Sequence, residues 1–114
     1  FYTTTSGTQK LYTKSPSSYH ILVVDDSVSN RRLLQKLLHL KGISSDGVEN
    51  GRRVIDLISQ NIYHYDFILL DRMMQGMSGI ETVINLRRLG YNHLIIGITG
   101  CAFDDERLSF LKAG

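Results

Sequence analysis

Apolar residues lie in short continuous runs that alternate with longer segments of helical periodicity. The first run, Ile21–Val24, is directly followed by two acidic residues, a pattern typical of a strand that is buried on both faces of a sheet. From Val28 to Lys41 the leucines recur at helical spacing, with Ser27 placed to cap the start and Gly42 to end the helix. The sequence therefore predicts a buried strand followed by an amphipathic helix.

Three further strand-and-helix pairs are predicted along the rest of the chain. They are a weak polar strand near Ile43–Val48, a helix after Asn50, a strand at Phe67–Leu70, a helix from Ser78 to Gly90, a strand at Leu94–Ile98 and a last helix around Leu108 and Leu111. Alternation of buried strands with amphipathic helices predicts a doubly wound α/β fold, in which helices cover both faces of a parallel sheet.

The first nineteen residues differ in composition from the remainder. They contain nine Ser or Thr and the only proline, Pro16. They also lack any helical or alternating apolar period, so we predict a Ser/Thr-rich linker or tail without regular structure over residues 1–19. The folded domain is then expected to span residues 20–114, a length that suits one hydrophobic core.

Charge and cysteine content argue against several classes of protein. Two of the thirteen basic residues, Lys10 and Lys14, lie in the leader, so residues 20–114 carry eleven basic and eleven acidic side chains. This neutral balance argues against a nucleic-acid partner. Cys101 has no second cysteine to pair with, which favours a reducing, cytoplasmic compartment. No apolar run approaches the roughly 20 residues of a membrane helix, so we expect no membrane contact. The four histidines are scattered without metal-ligand spacing.

The candidate chemistry lies directly after the predicted strands. In a doubly wound sheet, ligands bind beyond the carboxyl ends of the strands, where this chain places Asp25, Asp26, Asp71 and Thr99. Each alone is more often a cap or turn residue, but two carboxylates about 4 Å apart repel by about 4 kcal/mol at an effective dielectric of about 20. Mg²⁺, which prefers oxygen ligands, would relieve that repulsion, and a carboxylate can attack phosphorus.

Four sequence blocks resemble, in order and spacing, the receiver domain of two-component response regulators. The blocks are Val23–Arg31, Asp66–Met74, Met77–Gly79 and Ile96–Ala102. The pairs Asn30-Arg31 and Thr99-Gly100 are most similar to receivers attached to hybrid histidine kinases. The resemblance implies a flavodoxin-like parallel sheet with strand order 2-1-3-4, counting the predicted strands along the chain.

The same resemblance assigns a role to each candidate residue. Asp71 would accept a phosphoryl group from a phosphohistidine of a histidine kinase or phosphotransfer domain, and would help to hold Mg²⁺. Asp26 would bind Mg²⁺ directly, Asp25 would bind it through water, and Met73 would contribute its backbone carbonyl. Thr99 would be the switch hydroxyl that moves towards the phosphate. Such a domain catalyses its own phosphorylation and dephosphorylation but turns over no separate substrate.

Three departures from the family pattern change the expectations. Gln75 stands where the family usually has proline, Ser45 stands where the second strand usually buries an aliphatic residue, and the chain stops at Gly114 before the family's fifth strand and helix. We therefore expect a C-terminally incomplete domain that lacks the phosphate-pairing lysine and is poorly phosphorylated. Leu94–Ile98 would be an exposed edge strand, open to dimer formation. Cys101 is a candidate for tuning the lifetime of the phosphate, or simply a small semi-buried residue.

Two other functions stay open at this point. A receiver-like interaction module would bind partners without phosphorylation. The intact acidic trio argues against such a loss of function, whereas the missing lysine region keeps this alternative open. A flavin-binding flavodoxin-like protein would need a phosphate loop rich in hydroxyls and glycine after the first strand. The acidic residues at that position would repel a flavin phosphate, which disfavours this reading.

Overall fold

The computed structural model describes residues 2–4, 15–60, 64–71 and 76–98. Over these residues the strands are β1 (Tyr2–Thr4), β2 (His20–Val24), β3 (Ser44–Val48), β4 (Phe67–Asp71) and β5 (Leu94–Ile98). The helices are α1 (Val28–Leu40), α2 (Gly51–Ser59) and α3 (Gly79–Arg88), and a short 3-10 turn spans Pro16–Ser18.

All five strands belong to one sheet with the spatial order β1-β5-β4-β2-β3. β2 pairs in parallel with both β3 and β4, and β4 pairs in parallel with β5. The four predicted strands, β2 to β5, therefore have the order 2-1-3-4. This confirms the doubly wound, flavodoxin-like sheet expected from the sequence.

The main core lies between the sheet and the two helices α2 and α3. It is built from alternate residues of the central strands, because successive side chains of a strand point to opposite faces. Its fully buried members are Leu22, Val24, Ile68, Leu70 and Ile95 from the sheet, with Val54 from α2 and Val83 and Leu86 from α3. Ile21 and Val23, which point to the opposite face, are also buried, so β2 is covered on both faces as predicted.

Side-chain caps start all three described helices where the sequence predicts them. Ser27 Oγ accepts from the Asn30 amide at 3.3 Å, and Asn50 Oδ1 accepts from the Arg53 amide at 2.9 Å. Ser78 likewise starts α3, with its Oγ accepting from the amide three residues on at 3.1 Å. Each cap satisfies an amide that has no partner within its helix.

The prediction that residues 1–19 lack regular structure is wrong for two stretches. Pro16–Ser18 forms the 3-10 turn, and Tyr2–Thr4 pairs antiparallel with β5, with Thr3 opposite Ile96. An unpaired strand edge offers backbone donors and acceptors to any extended segment, whatever its composition. The edge of β5 is therefore not fully exposed, contrary to expectation, and a dimer formed there would first have to displace β1.

Helix α1 contacts β2 and β3 on the face opposite α2 and α3. Leu34 and Leu38 are partly buried, whereas Leu33, Leu37 and Leu40 are 56%, 48% and 72% exposed. Only some of the leucine side chains that predict this helix are thus buried against the sheet. No helix in the described part of the chain is long and apolar enough to cross a membrane. The last predicted helix lies outside the described residues.

Candidate metal centre

Three carboxylates meet at the carboxyl end of the central strands. One carboxylate oxygen from each of Asp25, Asp26 and Asp71 lies within 4.8 Å of the other two. The sheet register explains this meeting, because Val24 of β2 pairs with Leu70 of β4, and the next residue of each strand is an aspartate. The structure thus brings together the three acidic residues singled out in the sequence.

The three aspartates have different surroundings. Asp25 is only 6% exposed, its Oδ1 accepts from the Ser27 amide at 2.9 Å, and its own amide donates to the Val48 carbonyl at 3.1 Å. Asp26 is exposed, and Asp71 is partly buried at the end of β4. Asp25 is therefore held in place by its neighbours, whereas Asp26 faces solvent.

Arg31 also holds the backbone at the first aspartate. Its Nη1 donates to the backbone carbonyl of Asp25 at 2.8 Å, and its side chain crosses β3 at Gly47. A Cβ built at Gly47 would lie 3.0 Å from the Arg31 stem and 2.6 Å from Gln35 Oε1. The absence of a side chain at Gly47 thus lets α1 approach the sheet closely enough for the guanidinium to reach the site loop. Sequence reasoning interpreted Arg31 as part of a family motif and of a solvated helix face, and missed this contact.

The donor set fits Mg²⁺. Ligands on opposite sides of an octahedral Mg²⁺ lie about 4.1 Å apart, because each bond is about 2.05 Å long. A spread of at most 4.8 Å is close to this separation, so small side-chain rotations would let two of the carboxylates contact one ion directly and leave the third near enough to reach it through water. Met73 and Thr99, which the resemblance adds to the site, lie outside the described residues, as do Gln75 and Cys101.

Comparison with known proteins identifies relatives over most of the chain. The family described as the response regulator receiver domain matches residues 21–114. Two-component response regulator 24 of Arabidopsis thaliana is 38% identical over 106 residues, which cover 93% of this chain and 76% of that protein. The sensor histidine kinase RcsC of Escherichia coli is 35% identical over 94 residues, covering 82% of this chain but only 10% of RcsC.

Solved structures share the fold. The receiver domain of the Francisella response regulator 1452 has a TM-score of 0.77 and 26% identity, and the match covers 85% of this chain and 78% of that one. The receiver domain of the Arabidopsis thaliana histidine kinase CKI1, solved with Mg²⁺ and BeF₃⁻, has a TM-score of 0.74 at 23% identity, covering 84% and 76%.

Proposed function

We infer that this chain, which belongs to the response regulator receiver domain family, is a phosphoacceptor switch of a two-component phosphorelay. Membership of the family supports a phosphoacceptor role in two-component signalling, in which receiver domains interact with histidine kinases or phosphotransfer proteins. The proposed acceptor is Asp71, with Asp25 and Asp26 as partners in Mg²⁺ binding. The observation that carries the proposal is the clustering of these three carboxylates within 4.8 Å.

The position of Asp71 supports its choice as the nucleophile. Asp25 is only 6% exposed, whereas Asp71 is partly buried at the end of β4, the strand between β2 and β5. Asp71 also pairs with Ile98, the residue that precedes Thr99 in the sequence. Thr99 therefore directly follows, in sequence, the residue that pairs with Asp71, and this supports its proposed role as the switch hydroxyl.

The transfer itself requires little of the protein beyond position and charge. A carboxylate oxygen of Asp71 attacks the phosphorus of a phosphohistidine and forms an acyl phosphate, while the P–N bond breaks and its electron pair returns to the imidazole. Bound Mg²⁺ would supply positive charge to the phosphoryl oxygens. Asp25 and Asp26 would hold the ion against Asp71, and Arg31 would keep the Asp25 loop in place. Met73 would add a backbone carbonyl.

The proposed phosphodonor is a histidine kinase or phosphotransfer domain that docks beside α1. Between Ser27 and Ser45 the chain has four basic residues and no acidic one, and Leu33 and Leu37 are exposed on the same helix. A partner surface with apolar and acidic groups would match both features. The single cysteine is compatible with the cytoplasm, where we propose that the domain works.

Phosphotransfer from a labelled phosphohistidine protein tests this function. We expect Mg²⁺-dependent label on the wild type and none on Asp71→Asn. The control is Asp56→Asn, which makes the same change at an exposed aspartate away from the site and should be labelled like the wild type. Label that persists on Asp71→Asn would overturn the assignment of the acceptor. Binding of the donor without any transfer, with and without Mg²⁺, would instead favour the interaction module.

A further inference from the structure

Two histidine rings lie together at the end of the sheet opposite the carboxylates. His64 comes shortly before β4 and His93 directly before β5, and these strands are parallel neighbours. Their ring centroids are 5.5 Å apart with an interplanar angle of 75°. The two histidines are far apart in sequence, so their spacing does not match that of a local metal-binding motif. The sheet register alone brings them together.

The two loops that carry these rings are tied to one another. Arg87 Nη1 donates to the backbone carbonyls of Tyr91 and His93, at 2.6 and 2.8 Å. The Tyr91 hydroxyl donates to the Tyr65 carbonyl at 3.1 Å, and both tyrosines are buried. Burial raises the pKa of Tyr91, so its hydroxyl stays protonated and remains a donor. The backbone next to each histidine is thus held before any ligand arrives.

A cavity of about 210 Å³ adjoins the two rings. Its lining includes both histidines, with Ile58 and Leu89 as apolar members. A water molecule occupies about 30 Å³ in the liquid, so the cavity has room for an ion together with several waters. The site is therefore open to a small hydrated ligand and has apolar groups beside it.

We propose that His64 and His93 bind one transition-metal ion, with Zn²⁺ as the representative case. A ring centre lies about 1.2 Å from its nitrogen and a Zn–N bond is about 2.05 Å, so two imidazole centres sharing a tetrahedral ion lie about 5.3 Å apart. The observed separation is 5.5 Å. Rotation of each ring about its Cβ–Cγ bond, which is soft for histidine, directs one nitrogen of each at the ion. Waters in the cavity complete the coordination.

The donor type separates this site from the carboxylate site. Imidazole nitrogen suits Zn²⁺, Cu²⁺ and Ni²⁺, whereas Mg²⁺ prefers oxygen. The Arg87 guanidinium keeps its positive charge while it donates to two carbonyls, so it weakens the binding of Zn²⁺ and Mg²⁺ alike and leaves this preference unchanged. We therefore expect Zn²⁺ to bind through the histidines, and Mg²⁺ to leave their rings unaffected.

Zn²⁺ titration tests the proposal in an Asp26→Ala background, which weakens the carboxylate site. Calorimetry is expected to show binding whose affinity falls at least tenfold on His64→Ala or His93→Ala, as loss of one of two ligands requires. His39→Ala, which removes an exposed histidine on α1, should leave the affinity unchanged. In NMR spectra, the ring protons of His64 and His93 should shift together on addition of Zn²⁺ and stay unmoved on addition of Mg²⁺.

The opposite results would overturn the site. These are an affinity within twofold of the parent in both histidine variants, an equal loss in His39→Ala, or ring signals that do not respond to Zn²⁺. If His93→Ala fails to fold, as judged by circular dichroism, the exposed His64 and the NMR readout on the parent protein still decide the question.

Discussion

Replacing Asp26 by asparagine should reverse the order of stability between wild type and variant when Mg²⁺ is added. Without metal, two carboxylate charges at most 4.8 Å apart repel by about 3.5 kcal/mol or more at an effective dielectric of about 20. Asp26 is exposed, so solvent and salt screen much of this repulsion. We expect the metal-free variant to be more stable by about 1 kcal/mol, which raises the melting temperature by about 4 °C in a domain of this size.

Mg²⁺ should act in the opposite direction. A ligand at one hundred times its Kd stabilises the folded state by about 2.7 kcal/mol, and the wild type should gain this while the variant gains much less. Thermal unfolding of both proteins with and without Mg²⁺ measures the effect, with Asp56→Asn as the control that keeps the wild-type response. A metal-free variant less stable than the wild type, or an equal gain from Mg²⁺ in both, would refute the reasoning.

Three other changes test the packing around the site and the loops. Gly51→Ala should destabilise the domain by about 1–3 kcal/mol in urea unfolding, because the added Cβ would contact the hydroxyl of the fully buried Thr82. That hydroxyl cannot easily move away, since it donates a hydrogen bond to the Ser78 carbonyl. Adding the second change Thr82→Ala should recover part of the lost stability. Arg31→Ala should weaken Mg²⁺ binding in calorimetry by releasing the loop that it holds at 2.8 Å, whereas exposed Arg32→Ala should not. Tyr91→Phe should cost about 1 kcal/mol near pH 7 by removing a buried hydrogen bond. The pKa of Tyr91 is raised in the folded state, so the stabilisation that its hydroxyl gives the folded protein is present below about pH 10 and falls as the pH rises further. Thermal melts above about pH 10 should therefore show a smaller difference in melting temperature between wild type and Tyr91→Phe.

Local sequence signals predicted the elements that depend on near neighbours. The caps at Ser27, Asn50 and Ser78 involve residues three apart in the chain, and the apolar runs mark strands buried on both faces. The meeting of Asp25 and Asp71 also followed, because parallel strands end at the same edge of a sheet. These features need no knowledge of packing beyond the sheet itself.

Other features depend on contacts between distant segments. The pairing of Tyr2–Thr4 with β5 is a backbone interaction that composition does not reveal. The reach of Arg31 to the Asp25 carbonyl depends on the empty space at Gly47, and the approach of His64 to His93 depends on register. Such contacts have no local periodicity, so reading the chain in order cannot find them.

Mapping the phosphoryl group after treatment with a small-molecule phosphodonor tests the central claim most directly. Intact-mass measurement should show Mg²⁺-dependent addition of one phosphoryl group to a fraction of the molecules, since we expect this domain to be poorly phosphorylated. Reduction of the acyl phosphate and tryptic digestion should then place it at Asp71, which lies in the peptide Val54–Arg72 together with Asp56 and Asp66. Asp71→Asn should remain unmodified while Asp56→Asn reacts like the wild type. Modification at another residue, or equal modification of Asp71→Asn, would contradict the account.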